Sequence, residues 1–378
     1  PYVGKSSLFR VFSGTVTSDA HLVNATTGAT ERISNPHYQI GKEAVATKAV
    51  VAGDIASVTK LETVGTGDTL TSPEHRVALP KFALPSPLYF AAITPQAQAD
   101  LDKMGAALAR IAEEDPSLHV SRSEHTGETI LAAFGESHVQ ISLERIRRKF
   151  GANLKADVPQ VAYRETIRKK VQAHGRHKRQ TGGHGQFGDV HVEFEPLARG
   201  SGFVFEDRVV GGRVPRNFIP SVEKGLAEAI GHGLLAGYPV VDMKAALFDG
   251  SYHQVDSSDE AFRMAARLAY QEGYAKAEPV LLEPIIKLAI TIPDAFTGDV
   301  IGDISGKRGH VLGMNAAAES GMTTVEVEVP EAEVQRYATD LRSITQGRGV
   351  FTRAFVRYQE VPGNVQEKLV AQAAAKKG

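Results

Sequence analysis

The sequence predicts a multidomain α+β protein: an N-terminal β-barrel, two βαββαβ modules, and a different α/β domain between those modules. Residues 1 to about 80 carry only strand patterns and turn residues. From Pro87 the apolar spacing changes to strands alternating with amphipathic helices, and that order returns after residue 280. At 378 residues the chain is also long for one core.

The barrel is expected over 1–82, from FRVFSGTVT, HLVNATTGATERI and the Val45 to Val58 region, with Ser-Gly, Thr-Gly and Ala-Gly-Asp turns between them. Pro80, Pro85 and Pro87 break the pattern. The next module, 83–158, reads as strand LYFAAI, helix Gln96 to Glu114, strands LHVSR and ETILAAF, helix Ser137 to Phe150 and strand NLKADV. Leu101, Met104, Leu108 and Ile111 are expected to form the apolar face of its first helix. This is the ferredoxin-like order. Over 281–360 it recurs: strand Leu281 to Ile290, helix Asp299 to Lys307, strands around Val311 and over Thr323 to Val329, helix Glu331 to Leu341, strand Val350 to Val356.

The domain between, 159–280, opens on a basic strand. It continues with the glycine-rich loop TGGHGQFG, the strand DVHVEFE with Val190, Val192 and Phe194 on one face, and the strand FVFED. A helix around Val222 to Ile230, a strand VVDMKAALF, a loop GSYHQVD and a helix Asp259 to Tyr274 complete it. The tail, 361–378, is rich in Ala, Gln and Lys and is expected to fray.

Composition narrows the function. The chain lacks Cys, which excludes disulfides and thiolate metal sites, and it has no apolar run long enough to span a bilayer. A cytoplasmic, membrane-free protein is expected. The absence of an initiating Met, with a strand pattern almost at once, reads as part of something longer. A net charge of −1 leaves nucleic-acid affinity to local patches. Between Glu165 and Asp189 there is no acidic residue, and Arg168, Lys169, Lys170, Arg176, Lys178 and Arg179 all fall there.

Three motifs fail on inspection. Gly4, Lys5 and Ser6 end like a P-loop, but a strand follows where a phosphate-binding helix should start, and no Asn precedes a Lys to read guanine. GHGQFG spells a dinucleotide or kinase glycine loop, yet a strand follows it and the other kinase motifs are absent. His174, His177, His184 and His191 suggest zinc. With no Cys, with loop positions expected and with cationic neighbours, no metal site is predicted. No catalytic residue is assigned.

Longer stretches carry a resemblance. PQVAYRETI, TGGHGQFGDV, VVGGRVPRNFIPSVEKG, LAGYPVVDMK, GSYHQVDSSDEAF, PVLLEPI, TGDVIGDISGKRGHVLGM and YATDLRSITQGRG closely resemble elongation factor G, as do LARIAEEDPSLHV, FGESHVQI and GKSSLFRVFSGTVTSD. The match runs over about residues 1–360. It implies domains II to V of this translational GTPase family, without the GTP-binding domain. The 159–280 domain is then a ribosomal-protein-S5-like arm. The resemblance implies a monomer that binds the ribosome through rRNA and ribosomal proteins, and meets tRNA and mRNA at the decoding centre to promote translocation. No cofactor is expected in this chain, GTP and Mg belonging to the parent's missing domain.

Two loops would form the arm's tip: Thr181, Gly182, Gly183, His184, Gly185, Gln186, Phe187 and Gly188 in one, and Ser251, Tyr252 and His253 in the other. Glycines would let backbone approach RNA, while Gln186 and His253 hydrogen-bond sugars or base edges. Arg168 to Lys170 and Arg176 to Arg179 would follow rRNA phosphates. The family commonly has SGGRGQYG where Thr181, His184 and Phe187 stand here, and a leucine at Ser137. Those departures leave a recycling or tetracycline-protection paralogue as an alternative. A metal-dependent RNA enzyme built on the histidines is the rival from another class.

Overall fold

The computed structural model describes residues 5–180, 185–317 and 321–377. They form two compact units. The first covers the described residues up to Pro87 with Ile93–Ser121 and Ile130–Ala156; the second covers Leu88–Ala92, Arg122–Thr129 and the described residues from Asp157 onward.

In the first unit, short strands build the barrel. Ser6–Arg10 pairs antiparallel with Ile55–Thr59, Thr15–Thr17 with Ala49–Val51, and His21–Asn24 with Thr30–Arg32. Val11, Val50 and Ala56 fill one part of its interior and Ile33, Val58 and Leu61 the other. The following α/β module has the expected elements, with helices Gln98–Glu114 and Glu136–Phe150. Its sheet runs His119–Arg122, Thr129–Ala133, Tyr89–Pro95, Leu154–Asp157, the ferredoxin-like arrangement.

The first helix presents the expected face only in part, burying Leu108 and Ile111. Leu101 is exposed, while Asp100 is buried with Ala107, Leu108 and Ile111. Its carboxylate accepts the Asn153 N–H at 3.0 Å, so a polar anchor rather than an apolar residue sets the helix rotation at this end.

In the second unit the arm is a four-stranded sheet in the order Val171–Arg179, Gln186–Pro196, Met243–Ser251, Phe203–Asp207, the last pair parallel. Helices Ile219–Ile230 and Asp259–Lys276 cover one face. Val190, Val192 and Phe194 point into that core beside Leu226, Ala265 and Ala269. Period-two alternation therefore leaves Gln172, His174, Arg176, Asp189, His191 and Glu193 on the other face.

The last module has the same order as the first: His310–Ala316, Met322–Pro330, Pro279–Pro293, Val350–Glu360. Its sheet gains a fifth strand from the arm, because Arg164–Ile167 pairs with the start of Pro279–Pro293. The expected helix Glu331 to Leu341 is displaced. A single 3₁₀ turn, Glu331–Glu333, precedes the α-helix Tyr337–Thr345, whose buried Tyr337, Ala338 and Leu341 form the true apolar stripe.

The tail is also corrected. Gly363–Lys377 is a helix, and Val365, Leu369, Val370 and Ala373 pack against a cluster of Tyr163, Ala236, Leu281 and Val361. Their spacing places them on one side of the helix. Among the described residues, no helix is long and apolar enough to cross a membrane.

Candidate nucleic-acid interface

The arm's hairpin ends where Arg179 faces Gln186. Thr181, Gly182, Gly183 and His184 lie outside the described residues; Gly185, Gln186, Phe187 and Gly188 lie within them. The second loop leaves the neighbouring strand after Ser251, which pairs with Asp189. Both expected loops therefore start at the same end of one sheet.

They are also tied together. Gly185 N–H donates to Asp256 Oδ1 at 3.0 Å, Phe187 N–H to the Asp256 carbonyl at 2.8 Å, and the Ser257 hydroxyl to the Phe187 carbonyl at 3.0 Å. His253 N–H donates to Ser257 Oγ at 2.9 Å. The His253 ring accepts at Nδ1 from the Val255 and Asp256 N–H groups, at 3.3 and 3.1 Å. An accepting Nδ1 places the proton of the neutral imidazole on Nε2, leaving that N–H as the donor a partner can use. The side chain is 54% exposed, enough for a partner to reach it.

An aromatic and cationic surface surrounds this donor. The Phe187 ring lies 6.3 Å from the His253 ring, and the Arg176 guanidinium sits 5.5 Å from the Phe187 centroid. His177 Nε2 and Gln186 Oε1 are 2.9 Å apart. Stacking rings, a cation and amide groups at a loop end suit unpaired or splayed nucleotides.

Gly188 has an internal reason to be glycine, distinct from the partner approach expected of it. A Cβ there would stand 2.4 Å from the Ala261 carbonyl oxygen, because the strand passes directly under the helix Asp259–Lys276.

Long-range partners divide the basic window. Arg168 pairs with Glu360 at 2.5 Å, Lys169 with Glu278, and Lys170 with Glu193 at 2.8 Å. Arg176 is against Phe187, and Lys178 and Arg179 are exposed at the hairpin end. The tip thus gathers Arg176, Lys178 and Arg179, and carboxylates engage the other three lower in the domain.

Glu193 anchors an alternating charge ladder on the open sheet face, reached by Lys170 at 2.8 Å, Gln172 at 3.0 Å and Arg208 at 3.1 Å. Hydrogen bonds from Lys170 and then Gln172 outweigh burial and hold its carboxyl down at about 2. The unfolded chain therefore takes up this proton first on acidification. The ladder's contribution is complete above the ordinary carboxylate value of 4.5 and disappears as pH falls toward about 2. Thermal melts of the parent and Glu193→Gln should differ at neutral pH and converge as the pH falls through that window. A constant difference would mean the carboxylate is not held down.

Asp256 and Ser257 were not singled out from sequence. A signal was present: Ser257 and Ser258 stand immediately before Asp259 and Glu260, a helix-start pattern. Ser258 is the N-cap, accepting from Ala261 N–H. The expectation that the histidines occupy loops is corrected for three of them: His174, His177 and His191 lie on strands, with His174 directly opposite His191.

Comparison with known proteins covers most of the chain. A family model for elongation factor G domain 2 matches residues 1–73, domain III matches 84–157, domain IV matches 159–278, and the elongation factor G C-terminus matches 280–369. A crystal structure of a protein from Thermus thermophilus is similar over 99% of this chain, with 38% identity and a TM-score of 0.82. The chain spans 56% of that protein's length.

Proposed function

The chain belongs to the elongation factor G family, and from that premise we propose that it is the ribosome-binding part of a cytoplasmic translation factor whose arm promotes movement of tRNA and mRNA. The observation that supports this most is the tie between the two tip loops through Asp256 and Ser257. It brings His253 and Phe187 together, backed by Arg176, with Gln186 held nearby by His177. In this reading Nε2–H of His253 donates to a sugar or base edge, and Lys178 and Arg179 follow phosphates. The arm acts by occupying space that the transfer RNA leaves, which biases ribosome motion without bond chemistry in this chain. GTP hydrolysis belongs to the GTP-binding domain of the parent family.

Sedimentation with purified 70S ribosomes at two salt concentrations tests the proposal. The chain should pellet with ribosomes, less at the higher salt, and full-length elongation factor G should displace it. Asp256→Ala should remove the carboxylate tie to Gly185, loosening the glycine loop against the histidine loop while the Phe187 ties remain, and weaken binding about tenfold, a loss of about 1.4 kcal/mol. His253→Ala should do the same while leaving the melting temperature unchanged. If both variants bind as tightly as the parent, the tip is not the contact.

A further inference from the structure

We propose that His174, Asp189 and His191 form a binding site for a divalent transition-metal ion of the zinc class, bracing the hairpin just below its tip. The three offer ligand atoms that all lie within 4.8 Å of one another. They come from two strands: His174 and His191 are cross-strand partners, and Asp189 is two residues before His191. A register shift between His191 and Val192 against the third strand interrupts the regular ladder there. The residue left unpaired by this bulge is Phe248 on the third strand, so the two strands that carry His174, Asp189 and His191 keep their regular pairing.

The carboxylate is already oriented. Asp189 is only 9% exposed; its Oδ1 is 2.6 Å from His174 Nε2, and its Oδ2 accepts from the Ser251 hydroxyl at 2.8 Å. Such an outer hydrogen bond to a ligating carboxylate is a recurring feature of metal centres. Binding an ion must part the 2.6 Å contact between His174 Nε2 and Asp189 Oδ1.

The expected objection, repulsion by cationic neighbours, is weaker in the fold than in the sequence. Lys170 is held by Glu193, Arg213 by Asp249 at 2.7 Å, and Arg176 by the Phe187 face. The rings stack with centroids 4.1 Å apart and planes 6° apart. One ion cannot lie in two parallel ring planes, so binding must tilt the rings. His174, with 43% of its side chain exposed, has room to turn. Two imidazole nitrogens and one carboxylate oxygen, with water completing the shell, suit Zn²⁺, Co²⁺ or Ni²⁺ and not Mg²⁺. The inference does not depend on the ribosome reading.

Calorimetric titration of the chelator-treated chain with Zn²⁺ and with Mg²⁺ tests it, alongside visible absorption on adding Co²⁺. One equivalent of Zn²⁺ should bind and raise the melting temperature, and Co²⁺ should give the intense bands of a four-coordinate site, while Mg²⁺ does neither. His174→Gln and His191→Gln should each weaken Zn²⁺ binding by about tenfold or more, with the far-ultraviolet circular dichroism of the parent retained. No saturable Zn²⁺ binding, or binding untouched by both substitutions, overturns the site. RNA cleavage that requires both the ion and His174 would overturn the bracing role and make the site catalytic.

Discussion

Glu165→Ala is expected to destabilise the second unit by about 4 kcal/mol or more, since several buried groups lose their partner at once. Glu165 is fully buried. Its Oε1 accepts N–H groups of Ala236 and Tyr238 at 2.8 and 3.0 Å; Oε2 accepts Leu235 N–H at 3.1 Å and the Tyr274 hydroxyl. Burial and then the Glu165 charge push the Tyr274 phenol far above its usual range, so it remains a donor at any working pH. The chain from Gly233 to Tyr238 is wrapped around this one carboxylate, with no room even for a Cβ on Gly233, which would stand 2.0 Å from Oε2.

Alanine would leave three N–H groups and a phenol without acceptors. Glutamine restores one oxygen but turns an NH₂ toward donors, and should recover only about half of the loss. Urea unfolding of both variants, with hydrogen exchange at Leu235, Ala236 and Tyr238, measures this directly. An Ala variant with the parent's midpoint would show that water replaces the carboxylate without cost.

Gly175→Ala should be nearly as damaging, at about 3 kcal/mol, the upper end for overpacking. The added methyl would lie 2.0 Å from the Ala265 carbonyl oxygen and 2.4 Å from Ala269 N. Both are backbone atoms of the helix Asp259–Lys276, so no side chain can swing away. The helix itself must lift off the sheet, loosening Ala265, Ala269 and Tyr270, which are at most 1% exposed. Thermal unfolding should show the loss, and a crystal structure of the variant should show the displaced helix. An unchanged melting temperature would mean that the helix and sheet slide past each other freely.

These two residues mark what the sequence could and could not disclose. Glu165 stands inside a recognised stretch and Gly175 inside the basic window, yet neither is singled out by local pattern, because their importance lies in contacts with residues 70 or more positions away. Element order was legible, since it follows from local periodicity and turn chemistry. Helix faces were less so: Asp100 is buried because of Asn153, a partner no local pattern reveals. The apolar stripe beginning at Tyr337 and the docked tail helix were hidden for similar reasons, the first by a charged prelude at Glu331 to Glu333 and the second by its small residues.

At the loop end, the Phe187 and His253 rings come together across the two loops, while Gln186 pairs with His177 on the neighbouring strand. The residues joining them, Asp256 and Ser257, look like ordinary loop polar groups until their partners across the sheet are known. The basic window looked like one patch in sequence. Glu278 and Glu360, far along the chain, show it to be two.

The strand shared by the arm and the last module sets how this unit carries force. Pro279–Pro293 pairs at its start with Arg164–Ile167 and further along with Val350–Glu360, and Leu282 takes part in both ladders. There is no slack linker at that junction to act as a joint. A pull along the strand axis loads a whole row of hydrogen bonds in shear, sharing the tension among them instead of unzipping them one by one. Tension entering at the arm's root therefore reaches the C-terminal sheet through main chain, with the Arg168–Glu360 pair alongside it.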